Sequence, residues 1–228
     1  MSADAASELE VVRVLNNNAI LATDRVGGQV ILLGRGIGYG RHLGDAIDSS
    51  AASQVFVPDT SLTVGRLVSF LSEVPLPLLD LAVRLTEEAR AVAGIRPSQA
   101  LILALADHLQ FAVERVRQGI RFDYPLRWEV AQLYPTELAL GRAAVRTASE
   151  DLGVNLPDEE AVAFALHLVN AQFAGGDLGE TVAMTGRILQ VLDVVTAFMG
   201  ITVPEDSMDA ARFVTEVRSD GSLDSASQ

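Results

Sequence analysis

The sequence predicts a multidomain chain in which a small antiparallel β-sheet domain precedes an all-α helical bundle. Three observations predict it. Over the first ~60 residues, short β-prone runs alternate with turns rich in asparagine and glycine. From Pro58 onward apolar residues recur at helical spacing, with glycine or proline at the breaks. From Arg218 the chain turns to Ser, Asp and Gly, a composition that cannot bury enough apolar surface to fold. At 228 residues there is room for one large domain or two or three small ones.

The strands come first. Val11–Leu15 and Ala19–Thr23 are separated by Asn16, Asn17 and Asn18, a strong turn signal. Asp24 to Gly28 forms a second turn, and Gln29–Leu33 is the third strand. Gly34, Arg35 and Gly36, followed by Gly38 and Gly40, mark a loop whose backbone needs unusual dihedrals or approaches another group closely. A fourth strand, Gln54–Val57, ends at Pro58. Four short strands leave too much apolar surface uncovered to stand alone, so two sheets packed face to face in a dimer are expected.

The helices follow. Ser61 caps a short helix through Leu71, and Pro75–Pro77 interrupts the chain before a helix from about Leu78 to Val92. Pro97, Ser98 and Gln99 open Ala100–Arg117, which Gly119 closes. Helices also fit Leu126–Leu133, Thr136–Leu152, Asp158–Phe173 and Glu180–Phe198. The acidic run Asp158, Glu159, Glu160 suits the positive end of its helix. A weak repeat relates Gly94-Ile95, Pro97 and the following helix to Gly200-Ile201, Pro204 and Met208–Val217, placing Asp107 and His108 near Thr215 and Glu216.

Composition narrows the chemistry. No apolar run reaches the ~18–20 residues of a membrane span, and the acidic N-terminus lacks the features of a secretory signal. There is no cysteine, so disulfides, thiolate metal sites and a cysteine nucleophile are excluded. These features point to the cytoplasm. The net charge of −13 conceals a local excess of +3 in residues 11–44, carried by Arg13, Arg25, Arg35 and Arg41. Three scattered histidines lack metal-ligand spacing, so no metal is expected. The chain has no nucleophile elbow, phosphate-binding loop or complete dinucleotide fingerprint, so no cofactor is expected.

Two histidines lie inside amphipathic helices: His108, beside Asp107, and His167. Each reads as a packed histidine satisfied locally, or as a phosphoryl acceptor whose neutral ring nitrogen is nucleophilic near pH 7. Asp107 could fix the tautomer of His108 or stand solvated beside it. His42, in the Gly40–Gly44 loop, reads as a solvent or phosphate contact. Asn16–Asn18, Arg35 and Tyr39 offer amides, a guanidinium and an aromatic ring, the groups RNA readers use. The same residues also read as two tight turns and a glycine-rich connection.

Val14–Ile20 (VLNNNAI) and Leu33–Tyr39 (LGRGIGY) resemble the co-antiterminator (CAT) RNA-binding domain of the BglG/LicT/SacY antiterminators. Leu105–Ala112 (LADHLQFA), Leu126–Glu129 (LRWE), Leu133–Glu137 (LYPTE) and Ala165–Ala171 (ALHLVNA) resemble that family's first phosphotransferase-system regulation domain (PRD). The resemblance divides the chain into an N-terminal extension (1–10), a CAT domain (11–65), a first PRD (73–178), a partial second PRD (179–217) and a disordered tail (218–228).

The resemblance implies a dimeric four-stranded sheet that grips an mRNA leader hairpin and prevents a terminator from forming. It implies RNA contacts from Arg13, Asn18, Gly34, Arg35 and Tyr39, with Arg13 where lysine is common and Tyr39 where phenylalanine is common. It also implies phosphorylation of His108 and His167 by the phosphocarrier HPr or a permease's phosphorylated domain, with a repressive effect. Where the second PRD offers its first histidine this chain has Glu216, so control is expected through the first PRD alone. The competing expectations are a phosphorylatable signalling dimer with no productive RNA output and, more remotely, a small enzyme using one histidine as a base.

Overall fold

Strand pairing organises the first of two compact units, residues 1–84 and 85–228. The computed structural model describes residues 8–60, 62–121, 124 and 126–172. The sheet has five antiparallel strands: β1 (Glu8–Asn16), β2 (Ala19–Thr23), β3 (Gln29–Leu33), β4 (Ala46–Asp48) and β5 (Gln54–Phe56), in the order β4-β1-β2-β3-β5. The four strands expected from the pattern are therefore joined by a fifth, β4. Its three residues pair with the start of β1, Leu9 opposite Ile47.

Alternation gives the sheet two faces. On one, Leu9, Val11, Ile20, Ala22 and Leu32 close over Ile37 and Ile47 from the long β3–β4 connection. On the other, helix α1 (Val64–Glu73) lies against β1, β2 and β3 and buries Leu67 and Leu71. Both faces are thus covered within one chain. The stability argument for a face-to-face dimer rested on bare apolar faces, and α1 removes that need. Thr63 caps α1 by accepting from the Arg66 N–H; Ser61, the cap expected from the sequence, lies outside the described residues.

The second unit is helical, and α2 (Leu76–Ala93) crosses the boundary between the two units. It is followed by α3 (Gln99–Arg117), capped by the Ser98 hydroxyl, which accepts from the Leu101 N–H at 3.1 Å. Then come α4 (Arg127–Leu133), α5 (Pro135–Leu152) and α6 (Glu160–Gln172). Pro135 occupies the first turn of α5, where its missing N–H has no intrahelical partner to lose. Gly153 ends α5 with φ +63°, a backbone conformation that side chains disfavour.

α6 is the central helix of this unit. Ala161 through Leu166, Leu168 and Val169 are all buried, and α6 packs on α3, α4 and α5. Gly141 of α5 lies so close to the Ala161 carbonyl oxygen that a Cβ there would overlap it. Among the described residues no helix is long and apolar enough to cross a membrane. The expected helix Glu180–Phe198, the repeat at Met208–Val217, Glu216 and the tail lie outside the described residues.

Candidate functional site

Two sites emerge, one in each unit. In the sheet unit, the β1–β2 turn and the Gly34–Gly40 loop are zipped together. The Gly34 N–H donates to the Asn18 carbonyl at 3.0 Å, the Gly38 N–H to the Asn17 carbonyl at 3.0 Å, and the Gly36 N–H to Asn18 Oδ1 at 2.9 Å. A Cβ on Gly38 would overlap the Asn16 carbonyl oxygen, so that position needs glycine for the close approach. Asn18 and Gly34 are therefore neighbours. Arg35 is exposed at the edge of the same loop, and Tyr39 presents 79% of its surface.

With its carbonyl oxygen engaged by Gly36, Asn18 has its amide N–H groups left to offer a ligand. Asn16 behaves differently. Its Oδ1 accepts from the Asn18 N–H at 2.8 Å, and its Nδ2 donates to the Leu71 and Ser72 carbonyls at 3.3 and 3.4 Å. It thus ties the turn to the end of α1. Arg13 is exposed on β1, opposite Leu21, and belongs to the strand rather than the loop. Among the other arginines of the basic island, Arg25 pairs with Glu8 at 2.5 Å and Arg41 donates to the Ala46 carbonyl at 3.3 Å. His42 is exposed, 3.9 Å from Asp45.

In the helical unit, the structure joins what the sequence kept apart. α3 and α6 bring the rings of His108 and His167 to a centroid separation of 5.4 Å. Phe164, one turn before His167, meets the His108 ring edge-on at 4.9 Å. The His108 ring thus turns from α3 across to α6. The carboxylate beside it is Glu160, whose Oε2 lies 3.0 Å from His108 Nε2. Asp107 is largely exposed, and partial desolvation raises its pKa against the opposing pull of His108.

Glu160 is the hub of the cluster. Its side chain is only 4% exposed. Arg115 Nη2 donates to both of its oxygens at 2.8 Å, and the Tyr124 hydroxyl donates to Oε2 at 2.8 Å. Burial pushes the Glu160 carboxyl up, but hydrogen bonds from His108, Arg115 and Tyr124 outweigh it and bring its pKa to about 2. Burial, and then the neighbouring carboxylate, push the Tyr124 hydroxyl well above its ordinary range. His167 is pushed down to about 4, first by burial and then by the His108 charge. Its ring is therefore neutral near pH 7, the state in which a ring nitrogen can attack phosphorus.

The sequence pointed to both histidines but missed Glu160, Arg115 and Tyr124 as their surroundings. Glu160 was visible only as one of three acids suited to a helix N-terminus, and it does sit in the first turn of α6. Its partners come from 45 and 36 residues earlier in the chain. No local pattern encodes such a pairing.

Comparison with known proteins matches two domain families along the chain. Residues 9–63 match the CAT RNA binding domain and residues 84–171 the PRD domain. The beta-glucoside operon antiterminator of Dickeya chrysanthemi is 32% identical over 210 residues, covering 92% of this chain and 74% of that protein. The chain belongs to the BglG/LicT family of transcription antiterminators. Within this antiterminator family, LicT of Bacillus subtilis (strain 168) is 27% identical over 210 residues, covering 92% of the chain and 76% of LicT. The crystal structure of GlcT CAT-PRDI superposes with a TM-score of 0.60 at 27% identity, covering 72% of this antiterminator and 98% of that chain.

Proposed function

We propose that this antiterminator grips an mRNA leader hairpin through its sheet unit, and that phosphorylation of His108 and His167 sets its activity. The observation that carries the regulatory half is the meeting of those two rings, 5.4 Å apart, beside a buried carboxylate–guanidinium pair. A phosphoryl dianion added there changes local charge by about two units in a dry helix interface. That is enough to bias one packing of α3 and α6 over another. Phosphorylation in this domain represses, and the donors are the phosphocarrier HPr and the phosphorylated domain of a sugar permease.

The RNA half rests on the zipped loop. Asn18, Gly34, Arg35 and Tyr39 present an amide, close backbone, a guanidinium and an exposed ring within one short stretch, with Arg13 contributing from β1. Direct contacts of this kind fix position through phosphates and specificity through bases. In this reading the active form is a cytoplasmic homodimer, a regulator rather than an enzyme. The CAT domain occupies about residues 11–65 and the first PRD about residues 73–178.

A terminator-readthrough reporter tests the proposal in cells with an active phosphotransferase system. Wild type is compared with Arg35→Ala, His108→Ala, His167→Ala and the double histidine variant. Loss of readthrough in Arg35→Ala, with increased readthrough in the histidine variants, is expected. Readthrough unchanged across the histidine set removes the switch. A folded protein that takes phosphate at His108 or His167, yet gives no readthrough under any condition, favours a signalling dimer without RNA output.

A further inference from the structure

Resting on the assignment of His108 as a phosphoryl acceptor, we propose that Arg115 is the phosphoryl-binding residue of this site and that Glu160 holds its place until phosphate arrives. Glu160 Oε2 lies 3.0 Å from His108 Nε2 and also takes hydrogen bonds from Arg115 and Tyr124 at 2.8 Å. A phosphoryl group bonded to Nε2 has its phosphorus on the ring axis and its oxygens off that axis. At 3.0 Å from Nε2, Oε2 lies within the space that a phosphoryl group bonded to that nitrogen fills. The two cannot occupy it together.

Charge makes the exchange directional. A carboxylate and a phosphoryl dianion beside one ring nitrogen repel strongly where water is excluded. The dianion carries three strong acceptor oxygens, and a guanidinium is the side chain best suited to bind them in a fork. Arg115 already reaches the group that touches Nε2, so it meets the phosphoryl oxygens when Glu160 gives way. Tyr124, 3.4 Å from Arg115 Nη2, donates to Glu160 Oε2 and helps hold the carboxylate in the resting state. Arg115 is thus a positioning residue for the phosphorylated state, and Glu160 its occupant in the resting one.

The bond changes are simple. Nε2 first gives up to solvent the proton that it shares with Glu160; its freed lone pair attacks phosphorus, the donor's N–P bond breaks, and that bond's electron pair stays on the donor nitrogen. The proton on the other ring nitrogen of His108 is released to solvent, while the leaving nitrogen takes one up. Phosphoramidate, a small N–P donor that leaves as ammonia, supplies the phosphoryl group without any docking partner.

The full chain is treated with phosphoramidate, and labelling at each histidine is followed by phosphorus NMR and by mass spectrometry of peptides. His108→Ala and His167→Ala assign the signals. Glu160→Gln raises the labelling rate of His108 about tenfold, the order expected on removing one nearby unit charge at screened strength. Arg115→Gln lowers the rate and shortens the lifetime of the phosphohistidine by a similar factor. Both substitutions break the same ion pair, so a purely structural role moves them in the same direction; opposite directions identify the exchange.

Tyr124→Phe, which loosens Glu160 without unpairing a charge, moves labelling in the same direction as Glu160→Gln but less, and serves if the glutamine variant fails to fold. Labelling slowed in both Glu160→Gln and Arg115→Gln, or unchanged in Tyr124→Phe and Arg115→Gln, overturns the proposal. No phosphate on His108 in the folded wild type overturns instead the assignment of His108 on which it rests.

Discussion

Replacing Glu160 by glutamine tests how the helical unit holds a charge in its interior. Glutamine keeps the shape and the hydrogen-bonding oxygen but removes the charge that Arg115 and His108 face. The carboxyl pKa falls from 4.5 to about 2 on folding, because burial, which raises it, is outweighed by the hydrogen bonds from His108, Arg115 and Tyr124. At 4% exposure, solvent screening does not discount the shift. The ionised carboxylate therefore contributes about 3 kcal/mol at neutral pH, in line with the cost of breaking a buried pair. The folded-state pKa is depressed, so the contribution is complete above about pH 4.5 and disappears as pH falls through about 2. The glutamine variant mimics the protonated acid. Its deficit relative to wild type is about 3 kcal/mol at pH 7 and about half that at pH 3. Urea unfolding followed by far-UV ellipticity, run on both proteins at each pH, measures the difference. A deficit equal at pH 3 and pH 7 refutes the charge argument and makes packing the cause.

Three further outcomes follow from the same structure. The His167 ring titrates by NMR with a midpoint near 4, because burial and then the His108 charge oppose its protonation; the unfolded chain takes that proton first, so its contribution to stability is lost as pH falls from about 6.5 to about 4. His108→Ala removes the second cause and raises that midpoint, while burial still holds it below 6.5. Gly141→Ala drives a methyl group into the Ala161 carbonyl and lowers the stability of the helical unit by about 1–3 kcal/mol, measured by urea unfolding. Arg35→Ala weakens binding to a leader hairpin and flattens the slope of log K against log salt by about one, whereas Gly38→Ala, whose methyl overlaps the Asn16 carbonyl and breaks the hydrogen bond to the Asn17 carbonyl, abolishes binding at all salt concentrations.

How much of this was legible in the sequence depended on the range of the interaction that wrote it. Strands β1, β2, β3 and β5 were readable from short β-prone runs and their turns, and most helix ends from Pro and Gly within one turn of the break. β4 was not, because Ala46–Asp48 buries only Ile47 and lies in a glycine-rich loop with no alternation to detect. In the Gly34–Gly40 loop, the glycines announced an unusual backbone, but not that Gly34, Gly36 and Gly38 hydrogen-bond to the asparagine turn. The histidines could be placed on helices but not against each other. Glu160 was read for its local electrostatics, and its contacts with Arg115 and His108 depend on how α3 and α6 pack.

That distinction bears on why the helical site suits a switch. A buried ion pair is a poor source of net stability, since desolvating both charges offsets most of their attraction. An apolar pair of similar volume at Arg115 and Glu160 would hold α3 to α6 at least as well. What the ion pair adds is sensitivity. The carboxylate stabilises the packing only while Arg115 and Tyr124 face it, and in the proposed phosphorylated state a dianion on His108 competes with it for Arg115. The same few ångströms then change from satisfied to repulsive, across the helix pair that also carries His167. A site built to be only stable has no use for that arrangement; a site built to respond to phosphate needs it.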